Sequence, residues 1–194
     1  MKIKCIYNKW PDVPKDIFPI NDFSNKESDF YIEIDAEYTV YGMTVRNGCI
    51  WYYTRDKAFT YFPRWKPSYF FEVVDPRLSR YWIYSCKKFK NYSQAHPIIT
   101  FPQWADNHPD FYDMLSDGEE KEVMIFKTYK ELMDLEFPDS SISEIAQIGD
   151  DEWLICPTCL DAWQYNDDKD ALVRCPKCLK VLNNPRYKNE YPHL

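Results

Sequence analysis

The sequence contains only four glycines in 194 residues, namely Gly42, Gly48, Gly118 and Gly149. No two of them are close enough in sequence to form a phosphate-binding P-loop or the G-x-G-x-x-G turn of a dinucleotide-binding fold. The scarcity of glycine therefore argues against chemistry that uses a nucleotide bound in such a loop.

Histidine is also scarce, and the usual catalytic motifs are missing. His96, His108 and His193 lie in terminal or proline-flanked segments, without the partners that complete an H-E-x-x-H or a G-x-S-x-G motif. We therefore predict that the protein is not an enzyme. An enzyme with an unrecognised site stays an alternative, for example one with a thiol triad of Cys86, His96 and Asp75.

Long apolar runs are absent as well. The hydrophobic segments are interrupted by Lys, Asp and Pro, and they fall short of the roughly 18 residues that a membrane-spanning helix requires. The N-terminal residues Met1–Lys4 do not begin the apolar stretch of a signal peptide. We therefore expect a cytoplasmic protein that does not cross a membrane.

Four of the seven cysteines form a motif near the C-terminus. The pairs Cys156-Pro-Thr-Cys159 and Cys175-Pro-Lys-Cys178 are separated by 15 residues, a spacing typical of structural zinc sites. We predict that these four thiolates bind one structural Zn²⁺ per chain, with no open position for water or substrate. The alternatives are a redox pair, which needs only one C-x-x-C, and two disulfides, which need an oxidising compartment.

The other cysteines are Cys5, Cys49 and Cys86. Because three thiols cannot all pair with one another, we expect reduced side chains that lie mostly in the core. Within the motif, Leu160 and Leu179 follow the second cysteine of each pair. Many such turns have glycine there, because glycine tolerates a left-handed backbone.

Charge is distributed unevenly along the chain. Residues 156–194 contain six Lys/Arg and five Asp/Glu, which gives a net charge of +1. Since the whole chain has a net charge of −7, residues 1–155 have a net charge of −8. An acidic body disfavours binding to nucleic-acid phosphate and attracts a basic protein partner.

The patterns of residues predict an α+β fold, with a mainly antiparallel sheet and a few short helices in a body over residues 1–150. A small zinc ribbon and a C-terminal tail occupy residues 151–194. The firmest local prediction is a hairpin of strands Tyr38–Arg46 and Cys49–Thr54 around a type I′ turn at Asn47-Gly48. Further strands are predicted where β-branched and aromatic residues run between prolines or polar turns, at Lys2–Tyr7, Phe59–Phe62, Tyr69–Val74, Arg80–Ser85 and Lys121–Phe126.

Capping patterns predict three helices. The first begins after the cap Asn107 and ends at Gly118, the second follows Thr128-x-x-Glu131 and ends before Pro138, and the third begins at Ser141-x-x-Glu144. In the ribbon, we predict a hairpin in which strand residues Trp163 and Tyr165 face strand residues Leu172 and Arg174.

Aromatic residues cluster with basic ones at two places, Trp51–Tyr53 and Arg64-Trp65-Lys66. Such groups stack bases in proteins that bind single-stranded nucleic acids. Filling the core of an antiparallel sheet is the alternative that we favour, because large aromatic side chains dominate the burial of apolar surface.

The stretch from Tyr38 to Tyr84, followed by a four-cysteine ribbon, resembles a group of bacterial proteins. The segments that carry the resemblance are Tyr41-Gly42-Met43, Gly48–Tyr53, Pro63-Arg64-Trp65 and Phe71–Ser79. Some proteins of this group are similar to immunity proteins of polymorphic or contact-dependent growth-inhibition toxin systems. The resemblance implies a protein that neutralises a cognate toxin by stoichiometric binding.

An acidic inhibitor would complement a basic toxin. The candidate contacts are acidic residues that we expect to be exposed, namely Glu33, Asp35, Glu37, Glu119, Glu120 and Glu122. The alternative is a ribbon that binds nucleic acid through its own basic residues, namely Lys169, Arg174, Lys177 and Lys180.

Overall fold

A computed structural model describes residues 1–14, 30–46, 48–56, 61–87, 96–150 and 152–188. It confirms an α+β fold of mixed helices and antiparallel sheets, with a small zinc-ribbon-like module that contains the four C-terminal cysteines. The chain divides into two compact units, residues 1–130 and 131–194. The predicted boundary at residue 150, between the body and the zinc ribbon, stays a prediction.

Seven strands of the described residues form one sheet in the first unit. They are β1 (Lys2–Cys5), β2 (Glu37–Arg46), β3 (Cys49–Thr54), β4 (Arg64–Pro67), β5 (Phe71–Asp75), β6 (Ile83–Lys87) and β7 (His96–Thr100). The helices are α1 (Pro102–Asp106), α2 (Asp110–Asp117) and α3 (Glu120–Glu136), and the division between the two units falls within α3.

Strand β2 is the longest strand, and it connects the sheet. Its first residues pair with β1, and its later residues pair with both β3 and β7, all antiparallel. Gly42 lies where the register with β3 shifts. A Cβ at Gly42 would lie 3.1 Å from Cβ of Thr100 on β7, so a larger residue would press on Thr100, and this close approach of β2 and β7 favours glycine.

The predicted hairpin of β2 and β3 is confirmed. Arg46 pairs with Cys49, and Gly48 has a φ of 75°, the left-handed conformation that glycine adopts without a steric cost. Asn47 lies outside the described residues, so the type I′ turn stays a prediction. The aromatic run Trp51–Tyr53 on β3 is buried, which supports its role in the core.

The other strand predictions have mixed outcomes. Strands β1, β5 and β6 lie at or near the predicted segments. Phe59 and Thr60 lie outside the described residues, and Tyr61 and Phe62 form a bend before β4. Strands β4 and β7 were not predicted, because Pro67 and Pro97 argue for loops when their pairing partners are unknown.

The strand predicted at Lys121–Phe126 is wrong, because these residues belong to α3. The helix begins at Glu120, so the capping pattern at Thr128 is wrong too: the Thr128 hydroxyl lies inside the helix and donates to the Met124 carbonyl at 3.0 Å. Glu and Lys favour helix at the start of α3. The helical spacing of buried Phe126, Met133 and Phe137 extends over both segments.

The helix predicted after Ser141 is also wrong. The Ser141 backbone N–H and hydroxyl both donate to Asp139 Oδ1, at 2.9 and 2.6 Å. This side-chain acceptor stabilises a turn in competition with a helix. The helix predicted up to Gly118 corresponds to α2, which begins at Asp110 after Pro109, and Gly118 ends it with a φ of 85°.

Aromatic side chains of β3 pack against rings from several parts of the first unit. Trp51 contacts Trp10 and Trp65, with ring centroids 6.5 and 4.9 Å apart. Tyr53 contacts Trp104 of α1 and Tyr112 of α2, at 4.7 and 5.1 Å. The sheet therefore has apolar packing toward β1 and also toward the helices.

No helix of the described residues is long and apolar enough to cross a membrane.

A buried ionic cluster lies at the end of β3. The Asp56 carboxylate is fully buried and accepts from Arg64 Nε at 2.6 Å and from Lys66 Nζ at 2.7 Å. Burial opposes ionisation of Asp56, but the hydrogen bonds from Lys66 and Arg64 outweigh it and lower the pKa of Asp56. Burial also lowers the pKa of Lys66, although Asp56 opposes this. Two cations face the single Asp56 carboxylate, so this carboxylate is held in its ionised form.

We expect Asp56→Asn to destabilise the protein by about 3–5 kcal/mol, because it leaves the Lys66 ammonium buried without a counter-ion. In the wild type, the pKa of Asp56 is lower in the folded state than in the unfolded state. The ionised carboxylate therefore contributes to the free energy of unfolding above the ordinary carboxyl pKa of about 3.9, and this contribution is lost as the pH falls through the folded-state pKa. Denaturant unfolding measured against pH tests this. The control Asp56→Asn with Lys66→Met should recover much of the loss, and equal destabilisation of both variants would contradict the explanation.

Candidate metal centre

The second unit contains two hairpins, each with one C-x-x-C pair in its turn. Strands β9 (Trp153–Ile155) and β10 (Ala162–Gln164) flank the first pair, and β11 (Leu172–Arg174) and β12 (Val181–Asn183) flank the second. Strand β8 (Gln147–Ile148) pairs with β9. The predicted pairing of the Trp163 strand with the Leu172 strand is wrong, because each cysteine turn closes a hairpin of its own.

The first cysteine turn is closed by backbone hydrogen bonds. The Leu160 N–H donates to the Cys156 carbonyl, and the Cys156 N–H donates to the Asp161 carbonyl, both at 2.9 Å.

The second turn repeats this pattern. The Leu179 N–H donates to the Cys175 carbonyl, and the Cys175 N–H donates to the Lys180 carbonyl, again at 2.9 Å. The two halves of the centre therefore have the same local geometry.

Leu160 and Leu179 adopt the left-handed conformation at the position after the second cysteine, with φ values of 58° and 60°. This conformation costs an L-residue about 1–2 kcal/mol relative to the right-handed one. Their side chains are 76% and 61% exposed. Each turn therefore presents a large apolar side chain from a strained backbone position.

The four cysteine sulfurs form a compact group. All of them lie within 4.8 Å of one another, with Cys156 Sγ 3.7 Å from Cys178 Sγ and Cys159 Sγ 3.6 Å from Cys175 Sγ. A tetrahedral site with Zn–S bonds of about 2.3 Å has S–S edges of about 3.8 Å. The group could thus hold a metal ion that prefers four thiolates.

The turns also favour a thiolate at Cys156. Burial opposes ionisation, but backbone hydrogen bonds from Cys159 and Thr158 outweigh it, and the pKa of Cys156 falls to about 6. At Cys159, a backbone hydrogen bond from Asp161 lowers the pKa, whereas burial and the neighbouring sulfurs raise it to about 12. A bound cation favours ionisation of such crowded thiols, since a coordinating thiol is deprotonated outright.

A small apolar core supports the cysteines. Its buried residues are Ala146, Leu154, Cys156, Val173, Cys175 and Leu182, with Trp163 and Tyr165 against them. Each hairpin contributes to this core, and so do the two cysteines that are themselves buried. So small a core gives limited stability by itself, which is the situation in which a structural metal contributes folding free energy.

A polar cluster beside the first cysteine turn includes Glu144, which lies outside the predicted ribbon range. Glu144 forms an ion pair with Lys180, and the Thr158 hydroxyl lies 3.1 Å from Lys180 Nζ and 3.3 Å from a Glu144 carboxylate oxygen. The hydrogen bond from Lys180 lowers the pKa of Glu144. The contact was not predicted from the sequence, because the Ser141-x-x-Glu144 pattern indicates a helix cap at Glu144.

The structure separates the six predicted contact acids into two groups. Glu33, Asp35 and Glu37 are exposed near β1 and β2. Asp35 lies 3.0 Å from Lys4 Nζ, and Glu37 lies 3.9 Å from Lys2 Nζ. Asp35 and Glu37 therefore each have a cationic neighbour within the protein.

The second group lies at the start of α3. Glu119 and Glu120 are exposed, but Glu122 is only 8% exposed. The expectation that Glu122 is exposed is therefore wrong: the first turn of α3 turns this side chain away from solvent.

The three remaining cysteines lie in unlike environments. Cys5 and Cys49 are buried, as expected, and Cys86 is exposed. Burial raises the pKa of Cys5 to about 11, and Cys49 Sγ lies 3.2 Å from the Tyr69 hydroxyl.

The fold and the four-cysteine group together define the class, an α+β protein with a zinc-ribbon-like module. No family model, curated protein or solved structure matches this chain.

We expect Leu160→Ile to destabilise the first cysteine turn by about 1–2 kcal/mol, because a β-branched residue is a steric outlier at positive φ. Amide hydrogen exchange of the residue-160 N–H, which bonds to Cys156, measures this locally. Leu160→Gly, which relieves the strain, and unbranched Leu160→Met are the matched controls. Slower exchange in Leu160→Ile than in Leu160→Gly would show that the left-handed assignment is incorrect.

Proposed function

We propose that the protein is a non-enzymatic binding protein, and that its four-cysteine module is a structural zinc ribbon with one Zn²⁺ per chain. Four thiolates in tetrahedral arrangement suit zinc and leave no coordination position for water or substrate. The metal then stabilises the two hairpins, and it takes no part in chemistry. Cys156, Cys159, Cys175 and Cys178 are the ligands.

The observation that carries the binding role is the exposure of Leu160 and Leu179. Each leucine has a left-handed backbone conformation that glycine would adopt at a lower cost in free energy. Neither is buried within the protein, so the described chain recovers little of that cost by apolar burial. A protein partner that covers both leucines would recover it, and buried apolar anchors are the residues that contribute most to binding.

The partner that fits best is a basic protein. The net charge of −8 over residues 1–155 attracts such a partner and increases its rate of encounter. Glu119 and Glu120 are exposed, and within the described residues neither forms an ion pair. Toxic nucleases need basic surfaces to hold phosphate. We therefore propose that the chain is an immunity protein that neutralises a basic cognate toxin in the cytoplasm by covering its site.

Nucleic-acid binding by the ribbon is the weaker alternative. Of the four basic residues that it would use, Lys180 is paired with Glu144, and Lys177 Nζ lies 3.9 Å from Asp161. Both neighbours reduce the positive charge available to phosphate. Salt-dependent binding to RNA or DNA, with a steep loss of affinity as salt rises, would favour this alternative.

We expect purified, reduced protein to contain one Zn²⁺ per chain by elemental analysis. Cys175→Ser should lower the zinc content and speed amide exchange in residues 144–184, while the seven-stranded sheet keeps its protection because it has its own core. Cys86→Ser, which removes an exposed cysteine outside the centre, is the matched control and should keep the metal. Absence of stoichiometric metal in wild-type protein would contradict the assignment.

For the binding role, we expect titration of the purified protein into the basic toxin encoded beside its gene to abolish toxicity at about one equivalent, because an inhibitor that covers a site is consumed one for one. Leu160→Ser with Leu179→Ser should raise the Kd at least about thirtyfold, as expected for loss of central apolar anchors. Leu78→Ser, at an exposed leucine outside the ribbon, is the control.

The charge contribution is measured separately in the same assay. Glu119→Lys with Glu120→Lys should slow association and weaken its salt dependence. Glu120→Lys with Lys121→Glu keeps the net charge and should retain most of the rate. Protection at far below one equivalent, with the toxin chemically altered, would instead reveal a catalytic antidote and would overturn the proposal.

A further inference from the structure

A cavity of about 270 Å³ lies in the first unit, between the sheet and α2. On one side lie Arg46 of β2, Tyr53 of β3 and Trp65 of β4, and on the other lie His108, Tyr112 and Asp113. Its volume is close to the lower end of the range of small-molecule sites. Neither the metal centre nor the exposed leucines belong to it.

The rings of Tyr53, Trp65 and Tyr112 line part of the cavity. The Tyr53 and Tyr112 rings lie 5.1 Å apart at an angle of 60°, and the Arg46 guanidinium lies over the Trp65 ring, 4.8 Å from its centroid. Flat π faces of this kind favour a planar apolar group between or beside them.

Two phenol hydroxyls in the cavity lack protein partners. Tyr53 is only 5% exposed, and in the part of the chain that the structure describes neither Tyr53 nor Tyr112 donates or accepts a hydrogen bond through its hydroxyl. Burial raises the pKa of both phenols, so both stay protonated at neutral pH. Neither hydroxyl oxygen is closed off from solvent, so each can donate to a polar ligand group that enters the cavity.

The cavity also contains one charge of each sign. Arg46 on β2 and Asp113 on α2 both line it, and among the described residues neither is in an ion pair. Burial, and then the carboxylates of Asp110 and Asp117, raise the pKa of Asp113, so a positive group beside it would relieve an unfavourable charge. The sum of the two lining charges is zero, which disfavours a ligand with a net charge and suits a dipolar one.

We propose that this cavity binds a small zwitterionic molecule with a flat aromatic body, of the chemical class of the aromatic amino acids. The carboxylate of the ligand lies at the Arg46 guanidinium, its ammonium lies at Asp113, and its ring lies against Trp65 and Tyr112. Arginine suits the carboxylate because its donors form a fixed fork. The inference is independent of the proposed binding function, because it uses none of the same residues.

Calorimetric titration with three probes of one shape tests the charge requirement. L-phenylalanine has both charges, 3-phenylpropanoate lacks the ammonium, and 2-phenylethylamine lacks the carboxylate. We expect L-phenylalanine to bind at least about fivefold more tightly than either of the others, since each charge-assisted hydrogen bond adds to the affinity. Equal affinity for the three probes, or no saturable binding of L-phenylalanine, would overturn the proposal.

Substitutions test which residue binds the carboxylate of the ligand and which binds its ammonium. Arg46→Met should weaken L-phenylalanine and 3-phenylpropanoate at least about fivefold and leave 2-phenylethylamine unchanged, whereas Asp113→Asn should weaken L-phenylalanine and strengthen 3-phenylpropanoate. Arg80→Met is the matched control, because Arg80 also lies over an aromatic ring, that of Tyr81, outside the cavity. Asp117→Asn is the control on α2. Unchanged affinity in Arg46→Met and Asp113→Asn would show that L-phenylalanine binds elsewhere.

Discussion

The antiparallel pairing of β2 with three other strands is the interaction on which the first unit depends. Its first residues pair with β1, and its later residues pair with β3 on one side and β7 on the other. The close approach to β7 is possible because Gly42 has no side chain to meet Thr100. The same strand ends in Arg46, which it places over Trp65 on β4. Sheet pairing thus positions both the aromatic core and one side of the cavity.

The second unit differs from the first because it is too small for an extensive core. Its strands are two or three residues long, and two of its six core residues are cysteines. Four thiols within 4.8 Å of one another could hold a metal ion, which would cross-link these short hairpins. The hydrogen bonds of the two turns hold the sulfurs in place and also hold Leu160 and Leu179 in left-handed conformations.

The two proposed sites would bind their partners through different interactions. The ribbon offers exposed apolar side chains beside a centre of four thiols, so the role proposed for it is contact with another protein. The cavity offers unpaired polar groups among aromatic rings, so it suits a small ligand that brings its own charges. Since the two sites share no residue, each can be tested while the other is intact.

The sequence by itself determined what depends on local spacing. The cysteine pairs, the β2–β3 hairpin around Gly48 and the end of α2 at Gly118 each follow from a few neighbouring residues. Only the tertiary structure decided the rest. Whether residues 121–126 form strand or helix, whether Glu122 is buried, and which residues line the cavity all depend on packing between distant segments. Arg46, Trp65 and Asp113 lie far apart in sequence, and only sheet pairing and the position of α2 bring them to one cavity. Local patterns cannot encode such contacts, because tertiary packing overrides short-range preference.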